Sequence, residues 1–299
     1  MSQILKGAPV AAAISEELKI KCQKLIEQGI TPKAAIVRVG ERPDDLSYER
    51  AALKRFDSIG IAVSRFILPE NCTEAELLDT IDRINNDDSI HSCLMFRPLP
   101  DKAMEKKASE RLDPRKDIDC MTDISLAGVF AGNGSGYPPC TAQAVIELCD
   151  HYGIELEGKN VAVIGRSLVI GRPVSMLLQR RNATVTMCHT RTRNMEEICR
   201  RADIIVAAAG KAGLVDGSYL RHEDVPTQII IDVGINVLPD GTMVGDVDPA
   251  AAENFSAAYT PVPGGVGSVT TAVLAKHTLL AAGSRQSLIK CKTADPISI

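Results

Sequence analysis

The chain has 299 residues, 45% of them hydrophobic, and a formal net charge of −4. That length suits two medium domains with a sizeable core, and the interspersed signs leave no polybasic footprint for nucleic acid or a membrane surface. Its nine cysteines are odd in number and scattered without a C-x-x-C, so neither a disulfide framework nor a metal site is expected.

The opening MSQILKGAPVAAAISEELK lacks the charged start and long apolar core of a signal peptide, and no apolar run is long enough to span a bilayer. A cytoplasmic location is therefore expected. Residues Val10 to Gln28 read as an amphipathic helix, Lys33 to Val39 as a strand, Asp44 to Ile59 as a helix and Ala62 to Leu68 as a strand. Thr73 is placed to cap a helix running to Asn85, with Glu76 at the capping-box position. A strand from Ile90 to Phe96 ends in Arg97-Pro98-Leu99-Pro100, and Leu126 to Tyr137 is glycine-rich and reads as a loop. Thr141 to Tyr152 reads as a helix leading to the second domain. Further strands are expected near 160–164, 183–188, 204–209 and 228–233. Tyr259 to Gly267 is a Pro/Gly loop feeding a helix from about Val269 to Ala282, and the last dozen or so residues, with little periodicity, are expected to be disordered. Helix and strand alternate throughout, which predicts an α/β architecture with mostly parallel sheets.

The stretch Val161 to Pro173, VAVIGRSLVIGRP, reads as a buried parallel strand running into a phosphate-binding turn. Gly165 lets the backbone turn sharply, Gly171 lets a helix start close to the strand, and Pro173 tolerates a first helical turn. Free N–H groups at that helix start, with its dipole, are expected to attract a pyrophosphate. Gly165-x5-Gly171 is not the common G-x-G-x-x-G spacing, so the turn by itself leaves an ordinary strand–turn–helix open. The second strand ends in His189-Thr190-Arg191-Thr192-Arg193 rather than in an acid suited to ribose hydroxyls. Arg166, Thr190, Arg191 and Arg193 together suit a 2′-phosphate, which favours NADP over NAD, with a solvated helix start as the plain alternative for the two later arginines.

Several separated motifs resemble one family. They are Gly40-x-x-Pro43 with Tyr48, Pro98-Leu99-Pro100, Lys116-Asp117-Ile118-Asp119, Pro139-Cys140-Thr141, Gly165-Arg166-Ser167, Cys188-His189-Thr190, Ile231 to Asn236, Gly245-Asp246-Val247 and Thr260 to Gly267. In their order and spacing they are similar to the methylenetetrahydrofolate dehydrogenase/methenyltetrahydrofolate cyclohydrolases, over about residues 3 to 283. The resemblance implies two α/β domains with the active site in a cleft between them. A folate-facing domain would comprise 1–145 plus 269–299, and a Rossmann-type NAD(P)-binding domain 146–268. It implies a tetrahydrofolate substrate and a homodimer contacting through the nucleotide domain. Tyr48 and Asp119 carry over as catalytic residues that position folate, with Phe96, Pro98, Leu99, Pro263, Gly264 and Gly265 lining the substrate site. Thr141, Gly165, Arg166, Ser167, Gly171, Thr190, Arg191, Ala209, Gly210 and Ile235 carry over as cofactor contacts.

The family's two reactions differ in what they need. Hydride transfer needs the two rings held at reacting distance, whereas hydrolysis of the methenyl group needs a positioned acid/base. In the family, a Lys four residues after the Tyr carries the hydrolytic proton transfers, and a Gln before the Pro-Leu-Pro turn is hydrogen-bonded around it. Here those positions are Ala52 and Phe96. Lys54 falls about 240° around the helix from Tyr48, and Arg55 lies about 10 Å along it and is too basic to relay protons near neutral pH. The pattern predicts dehydrogenase with cyclohydrolase weak or lost. Two further departures, Cys120 for a Gly and Ser268-Val269 for Pro-Met, put the substrate in question, as does Ser125 for an Asn. An ordinary bifunctional enzyme, a non-catalytic folate- or nucleotide-binding paralogue and an NADP oxidoreductase on another substrate remain as alternatives.

Overall fold

The computed structural model describes residues 2–293, with side chains to 284. The first half holds β1 (Gln3–Ile4), α1 (Gly7–Glu27), β2 (Lys33–Val39), α2 (Pro43–Ile59), β3 (Ala62–Leu68), α3 (Glu74–Asn86), β4 (Ser92–Met95), α4 (Lys102–Arg111) and α5 (Asp123–Ala131). The second half holds α6 (Cys140–His151), β5 (Asn160–Ile164), α7 (Gly171–Gln179), β6 (Thr184–Cys188), α8 (Met195–Arg201), β7 (Ile204–Ala207) and β8 (Ile229–Asp232). After them come the hairpin β9 (Asn236–Val237) and β10 (Met243–Val244), α9 (Pro249–Phe255), β11 (Ala258–Tyr259) and α10 (Thr270–Thr293). Two compact units result. One comprises Ala13–Gly128, Gly134–Pro138 and the chain from Thr271, and the other Met1–Ala12, Val129–Asn133 and Pro139–Thr270.

The first unit is built on a three-stranded parallel sheet, order β3-β2-β4. Six of the seven residues of β2 are buried, as expected of a central strand covered on both faces. Val37, Leu77, Ile81, Met95 and Leu99 belong to its core. The Thr73 capping box forms, with the Thr73 hydroxyl accepting from Glu76 N–H and Glu76 accepting from Thr73 N–H. At the other end of α3, Lys116 is fully buried and donates from Nζ to the carbonyls of Ile84, Asn85 (3.0 Å) and Asp87 (2.9 Å). A buried cation there meets the negative end of the helix dipole and its unsatisfied carbonyls.

The second unit is a six-stranded all-parallel sheet, order β1-β11-β8-β7-β5-β6. Chain order reverses between β5 and β7, which makes their carboxyl ends a topological switch point where open α/β sheets bind ligands. The register levels Ile164, Cys188, Ala207 and Asp232 at that edge.

The structure departs from the sequence reading at several places. Residues 123–131 form α5 rather than loop: Gly128 sits inside the helix, where a Cβ would strike the Ser135 carbonyl, and the other glycines of the stretch follow the helix end. Residues 102–111 form α4, which sequence periodicity missed because Ala108 is the buried residue of a polar helix. Residues 1–12 and 139–145 group with the nucleotide-side unit, since β1 pairs with β11 and α6 packs on α7. Finally, α10 continues to Thr293, through part of the tail expected to be disordered; the rest of that tail lies outside the described residues.

Candidate active site

In the sheet unit of six strands, the turn after β5 is set by backbone crowding. Gly165 has φ +127°, and a Cβ there would sit 2.1 Å from the Ala208 carbonyl oxygen. A Cβ on Gly171 would meet the Gly165 carbonyl oxygen at 2.3 Å. Both positions therefore need glycine so that α7 and the β7 loop can close on the turn. The amides at the α7 start are not free, however. Ser167 Oγ accepts from Ile170 N–H (3.1 Å) and Gly171 N–H (3.4 Å), its carbonyl accepts from Arg172 N–H, and Pro173 has no N–H. The expected bare helix start is thus closed by its own serine, and the exposed Arg166 side chain stands next to it in the turn.

Beside it, the loop after β6 is a compact turn. His189 N–H donates to Thr192 Oγ1, and Arg191 N–H to His189 Nδ1. Thr190, Arg191 and Arg193 are exposed there, and among the described residues no carboxylate pairs with Arg166, Arg191 or Arg193. Three unneutralised guanidinium groups on the turns after β5 and β6, next to the switch point, suit the phosphates of a dinucleotide, the 2′-phosphate included.

The loops after β7 and β8 are joined by two buried carboxylates whose roles sequence reasoning missed. Asp246 accepts from the N–H groups of Ala209 (2.6 Å), Gly210 (2.9 Å) and Lys211 (2.9 Å) and from Asn236 Nδ2 (2.9 Å). Asp232 accepts from the N–H groups of Gly234, Asp246 and Val247. Burial pushes the Asp232 carboxyl up to about 6, with the neighbouring Asp246 charge adding to it against those hydrogen bonds. Side chains at Gly234 or Gly245 would strike these carboxylates, which explains two glycine–aspartate motifs in physical terms. Asp–x–Gly and Gly–Asp spacing was the signal available. Ile235 stands 60% exposed beside Gly267, and Thr141 lies half-buried in the first turn of α6. Pro263 and Gly264 are exposed and Gly265 is buried. The Gly264 carbonyl accepts from Gly7 N–H at the α1 start, and a Cβ on Gly7 would strike the Gly265 carbonyl.

In the three-stranded unit, Tyr48 on α2 meets Phe96 after β4 edge to face, with ring centroids 5.8 Å apart at 83°. The exposed Pro98 follows, and Arg97 donates to the Asp119 carbonyl at 3.4 Å. Tyr48, Phe96, Pro98 and Asp119 are thus brought together. Leu99 is not part of that surface. Its side chain is 5% exposed in the core, because its N–H is held by Glu105 Oε2 (2.8 Å) and the chain turns inward.

The loop carrying Asp119 is shaped from below. Asp117 accepts from Met121 N–H, Thr122 N–H and Thr122 Oγ1, Thr122 in turn bonds Ser125 Oγ, and His277 Nδ1 pairs with the Ile118 carbonyl at 2.9 Å. Cys120 sits in that turn at φ +56°, and burial with nearby aspartates raises its thiol pKa, so it is a poor nucleophile. Ala52 has no exposed surface and lies on the buried stripe of α2 between Glu49 and Phe56. Arg55 is held by Ser15 Oγ (2.7 Å) and Thr271 Oγ1 (3.4 Å), and burial lowers its pKa.

Comparison with known proteins joins the two halves. The family profile for the tetrahydrofolate dehydrogenase/cyclohydrolase catalytic domain matches residues 5–119, and that for the NAD(P)-binding domain of the same family matches 139–286. The Bifunctional protein FolD of Clostridioides difficile (strain 630) is 48% identical over 93% of this chain and 96% of its own length. That of Carboxydothermus hydrogenoformans is 48% identical over 94% and 97%. The crystal structure of FolD from Campylobacter jejuni covers 95% of this chain and all of its own, with TM-score 0.90 and 38% identity. A Trypanosoma brucei FolD structure, complexed with NADP cofactor and inhibitor, covers 96% of this chain and 98% of its own, with TM-score 0.87 and 34% identity. The parallel sheet with its switch point, the two matched domains in order and relatives similar over nearly their whole length make this chain a member of the tetrahydrofolate dehydrogenase/cyclohydrolase family.

Proposed function

We propose that this chain oxidises 5,10-methylenetetrahydrofolate to 5,10-methenyltetrahydrofolate with NADP as acceptor, and that its hydrolysis of the methenyl product is weak or lost. The observation that carries the second clause is Ala52, a buried methyl group at the position where a proton-relaying lysine would stand, together with an apolar Phe96 at the position of its polar partner. When bound, NADP supplies the nicotinamide carbon that takes the hydride. Arg166, Thr190 and Arg191 would hold its phosphates, with Ser167, Thr141 and Ile235 beside them and the Ala209–Gly210 loop fixed by Asp246. Tyr48, backed by the buried Phe96, gives an aromatic wall for a flat ring, and Asp119 a carboxylate for the pterin's N–H donors. That wall excludes water and favours the developing cation, which is what hydride loss requires.

The names of the relatives favour a second reading, full bifunctionality ending at 10-formyltetrahydrofolate. A two-product assay separates them. Purified protein is given methylenetetrahydrofolate with NADP and with NAD, and methenyl and formyl products are followed separately. Accumulation of the methenyl form supports the first reading, and formyl product appearing as fast as NADPH overturns it. Binding without turnover would indicate a non-catalytic paralogue, and no folate binding another substrate. We further propose that folate is held by the three-stranded unit and NADP by the six-stranded one, that the protein acts in the cytoplasm, and that it dimerises through its nucleotide unit. Light scattering of the pure protein tests the last point.

A further inference from the structure

Beneath α2 lies a charge cluster that the proposed chemistry does not use. Arg38 on β2 and Glu49 on α2 are almost wholly buried and joined Nε to Oε2 at 2.8 Å. Arg65 on β3 reaches the other oxygen, Oε1, at 2.7 Å. Arg38 also donates to the Gly40 carbonyl, in the turn where β2 gives way to α2. One carboxylate on the helix is thus held from two adjacent strands, and one of its holders also grips the turn that leads in. Exchanging a buried ion pair for apolar groups of similar volume is often neutral or stabilising, so such a pair is weak ground for stability. What forked, directional bonds do supply is a fixed angle about the helix axis.

That angle matters because Glu49 directly follows Tyr48. Turning α2 by about 20° would carry a ring lying some 6 Å from its axis by about 2 Å, enough to break the 5.8 Å edge-to-face contact with Phe96. Misplacement of about 1 Å in a reacting complex can cost on the order of 100-fold. We infer that the Arg38–Glu49–Arg65 clamp is the positioning device that sets Tyr48 for the substrate side of the reaction, with no part in holding the dinucleotide. The inference rests on the folate role proposed for Tyr48.

The test uses the full chain labelled with 3-fluorotyrosine, in which the Tyr48 resonance is assigned through Tyr48→Phe. In Glu49→Gln and in the Arg38→Leu/Glu49→Leu pair that resonance should shift and broaden, while Asp82→Asn, which breaks an exposed ion pair on α3, leaves it in place. Steady-state kinetics should show kcat/KM for methylenetetrahydrofolate falling about tenfold or more in Glu49→Gln, with the NADP KM within about twofold of wild type. In a Tyr48→Ala background the Glu49→Gln loss should disappear, because the two residues act as one. An unmoved Tyr48 resonance, an additive loss in the Tyr48→Ala background, or a lower melting temperature with unchanged kinetics would each overturn the clamp. If the variants shift the Tyr48 resonance as expected but the wild-type protein neither binds nor turns over folate, the proposed activity is overturned and the clamp stands.

Discussion

Asp232 couples the nucleotide-side unit to pH through one proton. Its carboxyl titrates at about 6 in the fold, against about 3.9 in an unfolded chain, because desolvation outweighs three backbone N–H donors. A raised pKa means the folded state holds the proton to higher pH. The stability this contributes is fully present below about pH 4 and is lost as pH rises through 6, by roughly 2–3 kcal/mol in all. Urea titrations of wild type and Asp232→Asn at pH 5 and pH 7.5 should therefore differ in slope, with the variant losing less stability on going to the higher pH; parallel behaviour would refute the assignment. The second residue-scale prediction concerns Ala52. Ala52→Lys combined with Phe96→Gln should raise the ratio of formyl to methenyl product by tenfold or more, since a positioned acid/base contributes about 100-fold or better. A ratio that stays at the wild-type value would mean other changes closed the hydrolytic route.

At the scale of elements, helix ends and turns are held by single buried groups. Lys116→Met leaves the last carbonyls of α3 without their buried donor, and should cost about 3 kcal/mol in denaturant unfolding while speeding amide exchange in the last turn of α3. Gly165→Ala forces a Cβ against the Ala208 carbonyl at a backbone angle that suits glycine. It should cost at least about 2 kcal/mol and abolish NADP binding by calorimetry. Elements with strong local signals were legible beforehand: β2 and β3 fall where alternation and β-branching put them, and the Thr73–Glu76 box marks the start of α3. Elements that depend on distant partners were not. The two residues of β1 are a strand because β11, some 250 positions on, offers its edge. The β9–β10 hairpin did leave a trace in the Pro239-Asp240-Gly241 turn, but two-residue strands have no periodicity to read.

For the whole molecule, site legibility divides along chemical lines. The glycines, the arginines and Tyr48 stand in short motifs with fixed spacing, which a sequence displays directly, and the structure leaves Arg166, Arg191 and Arg193 exposed. Asp117, Asp246, Glu49 and Arg38 were not readable, because a buried charge looks like surface until its partners are known. Leu99 stands apart: a motif leucine whose proline neighbours are exposed while its own side chain belongs to the core. The two compact units also frame a calorimetric prediction. If NADP binds the six-stranded unit, saturating it at about 100 times Kd should stabilise that unit by about 2.7 kcal/mol and raise its unfolding transition, and NAD at the same concentration should do less. Equal shifts with both nucleotides would remove the role given to Arg166 and Arg191.

The turn after β6 is closed on itself, with hydrogen bonds running from His189 to Thr192 and back, whereas the loops after β7 and β8 are tied to each other through Asp232 and Asp246. The residues proposed to choose between nucleotides thus stand on a detachable piece, and those proposed to hold the rest of the nucleotide stand on a braced one. If Thr190, Arg191 and Arg193 take part in that choice as proposed, rewriting them should alter nucleotide preference without disturbing the Asp232–Asp246 frame, while Arg166, on the separate turn after β5, keeps its own contribution.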